Sequence, residues 1–179
     1  MTAGKAQSAT ITGPFAAGRW QAVTPTSTAG FAVRNFGGAN TVQGTLPVVA
    51  AWVEVDPSGE PIAVHAELDL AAIDTKNARR DRDLRKPRLL DTAQQPTLTF
   101  VGGTPVRFAD HWELAGHLIG TATVDMVLVV QVVVGESGDI SVRATGTFDR
   151  QDLGVKAPAF MIGRQIDVTI EAIFQPPVA

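Results

Sequence analysis

Apolar and polar residues alternate along most of the chain after about residue 20. In residues 64–70, apolar side chains occupy every second position, and His65, Glu67 and Asp69 lie between them. A similar period of two recurs in residues 31–35, 46–55, 98–100, 112–114, 124–134, 140–148 and 166–174. This pattern, with β-branched residues and hairpin-length turns, indicates antiparallel strands with one apolar face. The sequence therefore predicts an all-β fold, as a closed barrel or a two-sheet sandwich, between which periodicity does not choose.

One predicted strand is apolar on both faces. In residues 124–134, Val127, Val129 and Val133 lie opposite the inward-facing set and are equally apolar. An apolar strand face left in water would be prone to aggregation, so we expect another part of the protein or a partner to cover these valines. A second copy in a homodimer, or an N-terminal arm carrying Ile11 and Phe15, would supply it.

The strand pattern is interrupted between residues 73 and 100. Six basic residues fall within ten positions there: Arg79, Arg80, Arg82, Arg85, Lys86 and Arg88. We predict a short helix over residues 77–86, capped by Asp74 or Thr75 and stopped by Pro87. Leu84 is its one large apolar residue, and Leu89 and Leu90 follow. A charged crossover of this kind fits a lid over one mouth of a barrel.

Length and composition favour one folded domain. The chain has 179 residues, of which 45% are hydrophobic, and it contains no cysteine. We predict a flexible arm over residues 1–18 and a barrel domain over residues 19–179. No apolar run is long enough to span a bilayer and no signal peptide is evident, so we expect a cytoplasmic protein. The net charge of −3 argues against nucleic acid as a partner.

Motifs of catalysis are absent from the sequence. It has no Gly-x-Ser-x-Gly, phosphate-binding loop or His-Glu-x-x-His, and only three histidines. Zinc needs three or four convergent ligands, so we expect no metal and no catalytic residue. An enzyme, or an accessory protein of one, remains an alternative because charges beside apolar residues can have shifted pKa values. It would use Arg80, Asp81 and Asp91. A stress-related interaction module that uses the charged lid region is the other alternative.

Asp149 and Asp152 flank Arg150 on a single segment. Glycosidase chemistry needs two carboxyl groups facing each other across a cleft, which one turn of chain does not provide. We therefore interpret the three residues as a local ion pair or turn.

The crossover also carries a family pattern. It reads Ala72-Ile73-Asp74-Thr75-Lys76-Asn77, then Arg79-Arg80-Asp81, Leu84, Asp91, Pro96 and Thr99-Phe100. With residues 30–35 and 148–155 in the same order, the chain resembles the YceI-like family from about residue 20 to residue 174. It departs at Asn35, where the family commonly has His, and at residues 118–122, where the family has a Leu-Thr-x-His-Gly turn.

The resemblance implies a lipocalin-like antiparallel β-barrel of about eight strands with a short lid helix. It also implies non-catalytic binding of a polyisoprenoid or related lipid, quinones included, without a further cofactor. Phe31, Val33 and Phe100 would line the tunnel, and Leu84, Leu89 and Leu90 would close its mouth. We predict further lipid contacts from Asn35, Leu118, Phe148 and Phe160.

The basic cluster has two interpretations. It is a solvated helix face, or it binds a phosphate-bearing head group or an anionic membrane surface. On the second interpretation, Arg80, Asp81, Arg85 and Arg88 form a polar rim that makes transient membrane contact. No aromatic residue interleaves with these charges, so nucleic acid is disfavoured again.

Overall fold

A computed structural model describes residues 13–35, 39–156 and 162–179 of the chain. Helix α1, Ala78–Leu84, joins the fourth and fifth strands, and a 3₁₀ turn at Thr24–Thr26 joins the first two. In this part of the chain the strands are β1 Gly18–Ala22, β2 Thr28–Asn35, β3 Asn40–Val55, β4 Pro61–Asp69, β5 Thr97–Gly102, β6 Val106–Arg107, β7 Trp112–Ile119, β8 Thr123–Val134, β9 Ile140–Asp149 and β10 Gln165–Gln175.

Eight of these strands form a closed antiparallel barrel in the order β2-β3-β4-β5-β7-β8-β9-β10. Closure comes from β10, which pairs with β9 from Gln165↔Asp149 to Phe174↔Ile140 and with β2 on its other edge. Successive side chains point to opposite faces of each strand, so every second residue enters the barrel. The prediction of an all-β barrel of about eight strands is confirmed.

Strand β1 helps to close one end of the barrel, which we call the floor. It pairs with β3 from Gly18↔Val55 to Gln21↔Trp52 and with the last residues of β10. The floor is filled by buried side chains, and the ring of Phe15 packs 6.3 Å from the rings of both Trp20 and Trp112. The indole N–H of Trp20 donates to the carbonyl of Ala16 at 2.8 Å, which satisfies its one polar group.

The outer face of β8 is apolar and exposed, as its sequence predicts. Val127 is 51% exposed and Val129 is 40% exposed, while alternate residues of the strand are buried. Phe15 packs inside the floor, so it does not cover these valines. Ile11, the other expected cover, lies outside the described residues.

The opposite end, which we call the mouth, is covered by the crossover of residues 70–96, which we call the lid. Asn77 caps α1 by accepting a hydrogen bond from the backbone N–H of Arg80 at 3.0 Å. The prediction of Asp74 or Thr75 as the cap was wrong, because the backbone of Asp74 is held against β3. Its N–H and C=O both pair with Thr45, at 3.0 and 2.9 Å. The helix therefore begins after that bridge and ends at Leu84, before Pro87.

Within the described residues, no helix has both the length and the apolar character that crossing a bilayer would need.

Candidate functional site

A cavity of about 290 Å³ lies inside the barrel. Its lining begins at Trp20 and Trp112 in the floor and ends at Leu84 and Leu90 in the lid. On β3 alone the lining residues extend from Leu46 to Val55, which is about 30 Å of strand, or about 20 Å along the axis of a barrel with the usual tilt. A volume of this size over that length makes the cavity long and narrow. Its shape suits one extended chain.

Glycines at inward positions accommodate two of the aromatic rings that line the cavity. A Cβ on Gly44 would collide with the ring of Phe31, and one on Gly116 would come within 2.5 Å of the ring of Phe100. The two phenylalanine rings therefore lie close against bare backbone, an arrangement that only glycine permits. Ala66, which pairs with Phe100 on the neighbouring strand, likewise presents only a small side chain to the cavity.

The structure brings most of the predicted lipid-contacting residues to this cavity. The ones that line it are Phe31, Val33, Leu84, Leu90, Phe100, Leu118 and Phe148. Leu89 is half-buried in the lid and is not part of the lining. The side chain of Asn35 and the whole of Phe160 lie outside the described residues.

Two predicted rim residues, Arg80 and Asp81, bind the protein itself through Thr75. The backbone N–H and the hydroxyl of Thr75 donate to the Asp81 carboxylate at 3.0 and 2.5 Å. Arg80 donates from Nε to the same hydroxyl at 2.8 Å and from Nη2 to the Thr75 carbonyl at 3.0 Å. Thr75 and Asp81 are both buried, so this network fixes the start of α1 to the preceding turn.

Arg85 also anchors the lid. Its guanidinium donates from Nε to the carbonyl of Ala71 at 2.7 Å and from Nη2 to that of Ile73 at 3.3 Å. Arg88 is different, because its side chain is exposed and no hydrogen bond or ion pair joins it to another described residue. The predicted rim thus divides into Arg80, Asp81 and Arg85, which bind protein groups, and Arg88, which faces solvent.

Arg150 lines the cavity, a position that sequence reasoning missed. It is 2% exposed and lies at the mouth end of the cavity lining. It donates from Nε to Gly163, from Nη1 to Val155 and from Nη2 to Ile162, all to carbonyl oxygens at 2.8–3.0 Å. Burial lowers its pKa from the usual arginine value, and the adjacent Asp149 acts in the opposite direction. Arg150 therefore ties together the chain between β9 and β10.

The carboxylate next to it has another partner. Asp149 accepts from the backbone N–H of Gln151, which lowers the pKa of Asp149, and the ion pair with Arg164 adds to the effect. A local turn and ion pair therefore exist here, but the arginine of the pair is Arg164. The sequence motif around Arg150 was the available signal, and it contains no sign of the distant carbonyl groups that bury this residue.

Polar chemistry near the cavity is limited. In the ranges that the structure covers, no group of three or more His, Asp or Glu residues is arranged to hold a metal. His65 stacks on Trp52 with ring centroids 5.3 Å apart, and His111 and His117 bond to Asp110 and Asp125. Each of the three imidazole groups thus has its own partner, and the three lie at separate places.

Comparison with known proteins agrees with this architecture. The model of the YceI-like domain matches residues 20–174. The protein YceI of Escherichia coli O157:H7 is 23% identical over 123 residues, which are 65% of this chain and 63% of that protein. A relative from Pectobacterium atrosepticum is 22% identical over 141 residues, 75% of this chain and 70% of its own length. The alignment thus spans less than two thirds of the Escherichia coli protein.

Solved structures share the fold at low sequence identity. BcnA of Burkholderia cenocepacia superposes with a TM-score of 0.76 at 12% identity, over 85% of this chain and 98% of its own. The YceI protein of Campylobacter jejuni gives 0.66 at 20% identity, over 78% of this chain and 87% of its own. A polyisoprenoid binding domain from Saccharophagus degradans gives 0.63 at 13% identity, over 88% and 98% of the two chains.

Proposed function

Since the chain belongs to the YceI-like domain family, we propose that its barrel encloses the chain of a polyisoprenoid or a related lipid and carries it chemically unchanged. The observation that carries the proposal is the long, narrow cavity, whose lining side chains are almost all apolar. The polyisoprenoid binding domain with the same fold supports the choice of ligand class.

Desolvation would supply most of the affinity. Each buried methylene contributes about 0.8 kcal/mol, so a segment of about ten carbons gains roughly 8 kcal/mol. Association itself costs about 4–15 kcal/mol before any net affinity appears. A long chain is therefore favoured over a short acyl group, and a flexible one is favoured over a rigid ring system by the narrow lining.

The lining also supports carriage over chemistry. The polar side chains along it belong to His65 and Arg150. His65 is held by Trp52 and Glu67, while Arg150 donates to three carbonyl groups. Neither forms a nucleophile–base pair with a neighbour in the described structure, and acyl- or phosphoryl-transfer chemistry requires such pairs or charge clamps.

Native mass spectrometry of gently purified protein tests the proposal directly. We expect a mass above that of the polypeptide, with the excess released into organic solvent as an apolar chain. A mass equal to the bare polypeptide, together with no uptake from a lipid extract, would contradict the proposal.

A matched pair of substitutions places the ligand. Ala66→Phe adds a ring inside the narrow cavity, whereas Ala115→Phe adds the same ring on the exposed face of β7. We expect Ala66→Phe to lower lipid occupancy at least about tenfold, because filling volume that the chain needs forfeits about 1.4 kcal/mol or more of its burial. Circular dichroism checks the fold, and Ala66→Leu serves if the larger ring unfolds the protein. Equal occupancy in all variants would place the ligand elsewhere.

A further inference from the structure

The two ends of the barrel carry opposite charge. The lid, residues 70–96, contains seven basic and four acidic residues, although the whole chain has a net charge of −3. At the floor, the turns of residues 56–60 and 135–139 contain four acidic residues and no basic one, and residues 103–111 contain one of each sign. The molecule therefore has a basic mouth and an acidic floor.

Part of the lid charge is not neutralised by the protein. Arg79, Arg82 and Arg88 are exposed, and no hydrogen bond or ion pair joins them to another residue of the described chain. Asp83, the acid beside them on α1, is already bonded to Lys86 at 2.6 Å. That bond lowers the pKa of Asp83, and the charges of Arg79 and Arg82 lower it further.

Apolar residues flank Arg88 on both sides in the chain. Pro87 is exposed, and Leu89 is half-buried without lining the cavity, while the next residue, Leu90, does line it. The loop is held in place because the backbone N–H of Leu90 donates to the carbonyl of Leu84 at 3.0 Å. An exposed arginine and apolar side chains thus lie next to each other where the lid borders the cavity.

We propose that the lid surface made of Arg79, Arg82, Pro87, Arg88 and Leu89 docks on the anionic face of a lipid bilayer and turns the mouth toward it. The inference rests on the proposed function, because a carrier of membrane lipids has to meet a bilayer. The three cations are spread over an exposed surface, which matches an extended sheet of anionic head groups. The acidic floor is repelled by the same sheet, so the two ends cooperate in orienting the molecule.

Vesicle flotation tests the docking surface. Each arginine near an anionic surface raises partitioning roughly fivefold, so replacing three lowers it by up to about a hundredfold. The mouth variant is Arg79→Gln, Arg82→Gln and Arg88→Gln. The matched control, Arg19→Gln, Arg107→Gln and Arg143→Gln, removes the same charge from exposed arginines outside the lid. Vesicles consist of phosphatidylcholine alone or mixed in equal parts with phosphatidylglycerol.

We expect unmodified protein and the control variant to float with the mixed vesicles and not with the neutral ones, and the mouth variant to remain unbound. Binding should weaken as the ionic strength rises from about 0.01 M to about 1 M, where the screening length falls from about 30 to about 3 Å. Equal binding to both vesicle types, or equal losses in the two variants, would overturn the docking surface.

Native mass spectrometry of the same proteins separates this inference from the proposed function. If the protein contains bound lipid but does not bind anionic vesicles, the docking surface is refuted and the carrier function is not affected. Vesicle binding that follows the expected pattern in a protein without bound lipid supports the docking surface and contradicts the carrier function.

Discussion

Thr75 connects two charged residues of the lid through a single hydroxyl group. The hydroxyl donates to Asp81 and accepts from Nε of Arg80. Asp81 is 7% exposed, and a hydrogen bond to a charged group contributes about 1.5–3 kcal/mol to stability. The position of α1 over the mouth depends on this buried triad.

Replacement of Asp81 tests that dependence. We expect Asp81→Asn to lower the free energy of unfolding by about 1.5–3 kcal/mol, because the amide loses the charge that Thr75 stabilises. Asp83→Asn on the same helix serves as the control, since its pair with Lys86 is exposed to solvent and should contribute little to stability. Urea unfolding of both variants measures the difference, and similar losses in the two would contradict a structural role for Asp81.

Single residues also show where sequence reasoning reaches its limit. The family resemblance predicted that Phe31, Val33 and Phe100 line the tunnel, and all three line the cavity, each on the face of its strand that points into the barrel. The pattern of apolar and polar residues could not predict that Arg150 is buried. The carbonyl groups that satisfy this guanidinium come partly from residues 12 and 13 positions away, and no local pattern encodes their approach.

The lid is held together by its own hydrogen bonds and joined to the barrel by a short bridge. Within the lid, Arg85 bonds to the carbonyl groups of Ala71 and Ile73, and Asp74 bridges the lid to Thr45 of β3. The sequence predicted the helix but not its N-cap, which is Asn77 and not Asp74 or Thr75. Asp74 and Thr75 have the right chemistry for capping, yet each is engaged elsewhere: Asp74 bonds to Lys76, and Thr75 to Asp81.

Loss of the Arg85 contacts should loosen the lid without unfolding the barrel. We expect Arg85→Gln to speed amide hydrogen exchange in residues 78–90 by about tenfold or more, because two hydrogen bonds from a charged donor are lost. Arg82→Gln removes the same charge from a side chain that makes no such contact. Hydrogen-exchange mass spectrometry compares them. Unchanged exchange in the lid, or faster exchange in all strands, would show that Arg85 does not act as a local anchor.

At the scale of the whole molecule, closure of the sheet was the feature that periodicity could not decide. The decisive contact is the ladder between β10 and β2, which joins the last strand of the barrel to the first, and no local pattern encodes a pairing between opposite ends of the chain. The family resemblance supplied the barrel, and the structure confirms it. The same closure leaves the valines of β8 on an outer wall.

We predict a weak homodimer through this wall. Val127 and Val129 are about half exposed and Val133 is half-buried, so burying them in two copies gains roughly 4–5 kcal/mol, which lies at the low end of the cost of association of about 4–15 kcal/mol. Sedimentation velocity should therefore show a concentration-dependent dimer that Val127→Lys with Val129→Lys abolishes. Val49→Lys serves as the control, because it places a lysine at a valine that is 54% exposed on β3, on the far side of the barrel from the proposed interface. A monomer at every concentration, or a dimer that survives the double substitution, would refute this interface.

On the proposed function, the packed floor would determine the order in which the two ends of a bound lipid enter and leave the barrel. Trp20, Trp112 and Phe174 occupy the inner end of the tube, so a linear guest threads in with its apolar terminus leading. Its polar end would enter last and leave first, so release would follow the path of entry in reverse. A guest with polar groups at both termini would have to bury one of them against these rings, at a cost of several kcal/mol. A carrier with this closed floor would therefore select lipids that are polar at one end only, as well as lipids of suitable length.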